Sequence, residues 1–161
     1  MAAALDAVES ELVAVHDAAR PLVTPELIDA ILRRLATRPD AAGVIAAAPI
    51  ADTVKRAREP RRPDPALEEP EPEVATTESR DQLWAAQTPQ AFRTRPLREA
   101  HAAAERSIVA TDDAMLVEAR GGRVLIHPSP AENLKVTTAH DLRLAELLLA
   151  ELSGPRRVRD Q

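Results

Sequence analysis

Val13-Ala14-Val15-His16-Asp17-Ala18-Ala19-Arg20-Pro21 is the stretch whose reading decides the fold. An apolar run over 12–15 has strand character and breaks off at His16-Asp17. Two alanines follow, then an arginine, then a proline that cannot continue a ladder. In an open parallel sheet, ligands gather in the crevice beyond the carboxyl ends of the strands. An aspartate there can hold a divalent cation, Ala18 and Ala19 leave room for a flat ring, and Arg20 can meet a phosphate. The same residues also suit a plain strand end in which Asp17 and Arg20 pair with each other. Both readings stand at this point.

On either side the pattern alternates between helix and strand. Residues 2–11 read as a helix with Leu5, Val8 and Leu12 along one side. Thr24 caps a second helix that has Pro25 in its first turn. Leu27, Ile28, Ile31, Leu32 and Leu35 make its apolar stripe, and Arg33, Arg34 and Arg38 face water. Residues 43–48 are a small apolar run of the kind buried on both faces. Strand, helix, strand in this order is a βαβ unit with a right-handed crossover. Pro49 ends the strand, and Asp52 to Lys55 reads as a short second one that pairs, over 52–56, with β-branched residues 74–77. Between them, 58–73 alternates prolines with charges of both signs and carries no apolar period, so a mobile loop is expected there.

Residues 83–87 read as a strand terminated by Thr88-Pro89-Gln90, and a helix is expected from Phe92 to about 106. A further helix over 112–119 is closed by Gly121-Gly122, and 123–127 is a strand stopped by Pro128 and Pro130. Thr138 caps a last, leucine-rich helix ended by Gly154-Pro155, with a frayed tail over 156–161.

The totals narrow the function classes. At 161 residues the chain is in the range of one domain, and with one Trp, one Phe and no Tyr its core is built from Leu, Val, Ile and Ala. A net charge of −5 argues against nucleic acid as a partner. With no cysteine there is no disulfide or thiolate metal site, which fits a reducing compartment. No apolar run reaches the length of a membrane span and the start lacks a basic signal region, so the cytoplasm is the expected location. His16, His101, His127 and His140 lack metal-ligand spacing, and neither a Gly-x-Ser-x-Gly elbow nor a phosphate-cradling glycine loop is present.

Five blocks then carry a resemblance: His16 to Pro21, Pro49 to Lys55, Leu83 to Gln90, Thr111 to Ala114, and Glu132 to Thr137. In this order they are similar to the motifs of the cytidylyltransferases that act on 2-C-methyl-D-erythritol 4-phosphate, from about Ala4 to about Leu152. The implied fold is α/β, a Rossmann-like, mostly parallel sheet flanked by helices, in a single domain over 1–161. A β-arm over about 52–82 projects from it and, by resemblance, crosses to a dimer partner. Relatives open with a first strand and a Gly-rich loop that wraps CTP, and nothing of that kind precedes Asp17. The expectation is therefore an N-terminally truncated domain.

The implied reaction is attack by a sugar-alcohol phosphate on the α-phosphorus of CTP with loss of pyrophosphate, on the route to isoprenoid precursors. Such transfers need alignment and positive charge more than covalent help. The resemblance implies Asp17 as the Mg²⁺ ligand, with Ala18, Ala19 and Asp17 along the nucleotide. Arg20, Thr53, Arg80, Thr88, Thr111 and Lys135 are implied to hold the methylerythritol phosphate, and Lys135 joins Asp17 as catalytic. Arg80, on the arm, is implied to serve the partner's site. His16 is expected to be a structural hydrogen-bonding residue.

Losing one preorganised donor costs roughly two or three powers of ten in rate. Without the loop, negligible activity is expected of this chain alone. Two alternatives stay open: a non-catalytic dimerising or sugar-phosphate-binding module, and a cytidylyltransferase for another polyol phosphate such as ribitol 5-phosphate. All of this requires Asp17 and Lys135 to fold side by side.

Overall fold

The computed structural model describes residues 2–58, 72–104 and 110–153. Its elements are α1 (Ala2–Asp6), β1 (Leu12–Val15), α2 (Pro25–Ala36), β2 (Gly43–Pro49), β3 (Lys55–Ala57), β4 (Val74–Thr77), β5 (Trp84–Arg93), α3 (Thr94–Ala103), α4 (Asp113–Ala119), β6 (Val124–Pro128) and α5 (Ala139–Ser153). The chain divides into two compact units, one of Met1–Ala48 with Ala86–Gln161 and one of Pro49–Ala85.

The first unit holds a four-stranded sheet in the order β1-β5-β2-β6. β2 and β6 are parallel, with Ile45 opposite Ile126. β1 is antiparallel to β5, with Val13 opposite Phe92. β5 also runs against β2, since the Arg93 amide donates to the Ala42 carbonyl at one end and the Ile50 amide to the Leu83 carbonyl at the other. The sheet is therefore mixed: β1, β2 and β6 point one way, as the mostly parallel expectation requires, and β5 points the other. β5 also lies between the two strands that α2 connects, so the βαβ unit closes over an intervening strand.

Period-two alternation assigns the two faces. Val44, Ala46 and Ala91 turn toward Ile31 and Leu35 of α2. Ile45 and Phe92 turn the other way, onto Leu5, Leu97, Ala100, Ala114 and Val117 of α1, α3 and α4. Helices thus cover both faces of an α/β sheet. Gly43 is dictated by this packing, because a Cβ there would stand 2.6 Å from the Phe92 ring.

Local signals hold where caps are explicit. Thr24 accepts from the Leu27 amide and caps α2. Asp112 caps α4 by accepting from the Met115 amide. Gly121 at φ 77° and Gly122 close α4 through amides bonded to the Glu118 and Val117 carbonyls.

Several boundaries differ from expectation, among them the first arm strand, which is Lys55–Ala57 rather than Asp52 to Lys55. α1 is confined to Ala2–Asp6 and does not reach residue 11. β5 does not stop at Thr88-Pro89-Gln90 but runs on to Arg93. The β1 ladder begins only at Gln90, so the N–H that Pro89 lacks is not needed on that side. Phe92 consequently lies in the strand, and the helix begins at Thr94.

The second unit contains the arm. β3 and β4 pair antiparallel with Lys55 opposite Thr77, and the Arg58 amide extends the ladder to the Glu73 carbonyl. Most of the loop expected over 58–73, and the tail over 156–161, lie outside the described residues.

Candidate functional site

The β1–α2 loop is built on Asp17. Its Oδ1 accepts from the Ala19 amide at 3.0 Å, an Asx turn, and its carbonyl accepts from the Arg20 amide at 2.9 Å. Its Oδ2 meets Lys135 Nζ at 2.8 Å, with the side chains 28% and 50% exposed respectively. The Lys135 ammonium and the Ala19 amide together hold the Asp17 carboxyl below its ordinary value, against a smaller opposing effect of burial.

Lys135 comes from the β6–α5 loop rather than from a strand, and it points at a carboxylate. The two loops are laced further by the Val136 amide, which donates to the Ala19 carbonyl at 2.7 Å. Arg20 does not form the alternative pair with Asp17. Its Nη1 donates to the Asn133 carbonyl at 2.7 Å, and burial lowers its pKa against the pull of Asp17. It stays charged all the same.

Thr88 joins from β5. Its Oγ1 accepts from the Asp17 amide at 2.9 Å and lies 3.0 Å from His16 Nδ1. His16 Nε2 is 3.1 Å from the Arg20 carbonyl, which can only accept. Neutral His16 therefore carries its proton on Nε2, and the Thr88 hydroxyl donates to Nδ1. His16 is a brace, as expected of it.

The structure thus brings Asp17, Ala18, Ala19, Arg20, Thr88 and Lys135 together at one end of the sheet. Thr111 stands exposed just before α4, its Oγ1 3.9 Å from Met115 Sδ. Thr53 and Arg80 belong to the second unit, where Arg80 Nη1 donates to the Ala51 carbonyl and helps line a pocket with Ile50, Leu83 and Trp84.

The sequence did not single out the buried amides beneath the first group. Asn133 and Gln90 are 2% and 3% exposed. Asn133 Nδ2 donates to the Thr88 carbonyl at 2.8 Å and to Gln87 Oε1 at 3.1 Å. Gln90 Nε2 donates to Asp112 Oδ2 at 3.0 Å. The available signal was an uncharged amide repeated among alanines and prolines, a residue type rarely buried unless paired.

Among the described residues no cluster of three His, Cys, Asp or Glu side chains is poised for a metal. A single loop carboxylate fits a magnesium ion that takes its other ligands from water and phosphate oxygens. Asp17 is a loop carboxylate of that kind, its Oδ2 2.8 Å from Lys135 Nζ. Among the described residues no helix is long and apolar enough to cross a membrane.

The family model for 2-C-methyl-D-erythritol 4-phosphate cytidylyltransferase matches residues 1–151. A protein of that name from Azoarcus is 44% identical over 92% of this chain and 56% of its own length. One from Streptomyces avermitilis is 46% identical over 87% and 52%. The chain therefore spans about half the length of the curated relatives it matches. The crystal structure of the Thermus thermophilus 2-C-methyl-D-erythritol 4-phosphate cytidylyltransferase superposes with a TM-score of 0.72 at 34% identity, over 92% of this chain and 66% of that one.

Proposed function

The chain belongs to the 2-C-methyl-D-erythritol 4-phosphate cytidylyltransferase family, and from that premise we propose that it forms the sugar-phosphate and metal end of a cytidylyl-transfer site. In that reaction a phosphate oxygen of methylerythritol phosphate attacks the α-phosphorus of CTP. A new P–O–P bond forms and the bond to pyrophosphate breaks. The contact between Asp17 and Lys135 carries the reading, since it sets a carboxylate and a cation from distant parts of the chain 2.8 Å apart at one end of the sheet.

Lys135 neutralises the incoming phosphate and Asp17 would hold Mg²⁺, which when bound supplies positive charge between the phosphates. Ala18 and Ala19 leave flat space for the cytosine ring. Arg20 shapes the pocket wall, while Thr88 and Thr111 offer oxygens to the polyol. Thr53 and Arg80 serve the same substrate from the arm of a homodimer. A two-stranded ribbon is marginal alone, and the exposure of β3 supports such a partner. Use of CTP and the absence of cysteine support a cytoplasmic setting.

Calorimetric titration with methylerythritol 4-phosphate tests the reading. Binding is expected, weakened roughly tenfold or more in Lys135→Met. Tighter binding of ribitol 5-phosphate would reassign the substrate, and no binding of either would overturn the reading.

A further inference from the structure

Four polar residues of β5 and its neighbouring loops are buried, yet their hydrogen bonds reach the loops that bear Asp17, Thr111 and Lys135. Gln87, Gln90, Ser129 and Asn133 are 7%, 3%, 6% and 2% exposed. A core of alanine and leucine would fill that volume without the desolvation cost of amides.

The bonds join β5 to the loops beside it. Gln90 reaches from β5 to Asp112, the cap of α4 beside Thr111. It also touches the Gln87 carbonyl at 3.4 Å. Asn133 reaches from the Lys135 loop back to Gln87 and Thr88, with a longer contact of 3.4 Å to Ser129 Oγ. The Asn133 carbonyl in turn takes Arg20 from the Asp17 loop. Positions 87–90 of one strand therefore act as a common reference for the loops that bear Asp17, Thr111 and Lys135. Asn133 Oδ1 and Arg20 Nε are buried without a partner among the described residues, a cost that packing alone would not select.

Resting on the reading that this cleft takes a sugar-alcohol phosphate, we propose that Asn133 and Gln90 are positioning residues for it: Asn133 registers Arg20 and Lys135 against Thr88, and Gln90 registers the Thr111 end of α4. Neither touches the substrate. Both act by holding donors already spaced for a phosphate and a polyol, so that binding pays no cost for ordering the loops.

Amide hydrogen exchange on the whole chain tests this with or without ligand. The Asp17 and Val136 amides, held by Thr88 Oγ1 and the Ala19 carbonyl, should exchange roughly tenfold faster in Asn133→Ala while the Val44 and Phe92 amides keep their protection. If Asn133→Ala does not fold, Asn133→Ser, whose shorter hydroxyl still donates, should show a smaller acceleration at the same two amides. For Gln90, Gln90→Glu sets a carboxylate against Asp112 and should speed exchange of the Met115 amide. The double change Gln90→Glu with Asp112→Asn reverses donor and acceptor, keeps a good cap, and should restore it.

Unchanged Asp17 and Val136 exchange, or a double variant as fast as Gln90→Glu, overturns the proposal. Affinity for methylerythritol 4-phosphate separates the two readings. If the unmodified chain does not bind it, the substrate reading fails while exchange still decides the register. If it binds and Asn133→Ala binds equally well, the positioning role is overturned.

Discussion

At the scale of single residues, the Asp17–Lys135 contact sets a measurable titration. Because the ammonium favours the charged carboxylate, the Asp17 carboxyl should titrate below 3.8 when followed by carbon NMR, and should return toward 3.8 in Lys135→Met. A depressed folded pKa stabilises the fold fully above the ordinary carboxylate value, and that contribution is lost as pH falls through the folded value. An Asp17 midpoint at or above 3.8 would show that the contact is not formed in solution. Gly43 makes a second prediction. Since its Cβ would lie 2.6 Å from Phe92 Cδ1, Gly43→Ala should destabilise by about 1–3 kcal/mol in urea unfolding. Asp17 and Lys135 were legible because each breaks a run of apolar or small neighbours and belongs to a recognisable motif. Asn133 and Gln87 were not, because burial of an amide depends on partners distant in sequence.

At the scale of elements, caps were readable and interruptions were not. Thr24-Pro25 announces α2 through chemistry confined to one turn. Pro89 looked like the end of a strand, since a proline costs a ladder bond. Only the partner's register shows that no such bond with β1 is required there. Likewise the loop that carries Lys135 is pinned to another loop rather than to a sheet, through a bond between residues distant in sequence. The start of α5 yields the next prediction. Asp141 accepts from the Thr137 amide and hydroxyl and the Thr138 amide, and these bonds lower its pKa to about 2. This support is complete above 3.8 and is lost as pH falls toward about 2. Amides in the first turn of α5 should exchange faster over that window, and Asp141→Asn should make their exchange independent of it. At the other end of the sheet, Gly121 at φ 77° closes α4. Gly121→Ala should cost about 1–2 kcal/mol in thermal unfolding, because a Cβ clashes in the left-handed region.

At the scale of the whole molecule, α5 departs from the rest. Leu142, Leu147 and Leu149 are 50%, 65% and 54% exposed, while Ala145 is buried. The leucine-rich pattern was plain in the sequence, but the extent to which those leucines are covered was not. Apolar surface of this kind drives association. Sedimentation should find concentration-dependent self-association that Leu147→Glu with Leu149→Glu reduces, with thermal stability little changed. Loss of folding in that variant would show that the face belongs to the core. The placement of β5 bears on how the molecule is made. β1 and β2 are synthesised early, yet neither has its full set of neighbours until the strand that lies between them has been translated and has inserted in the opposite direction. A nascent chain halted shortly after residue 58 would have α1, β1, α2 and β2 in place with neither β5 nor β6 to pair with. Assembly must therefore wait for a late, long-range closure, the slow step of a high contact-order topology. The cleft loops, referenced to that same strand, take their places only once translation has passed it.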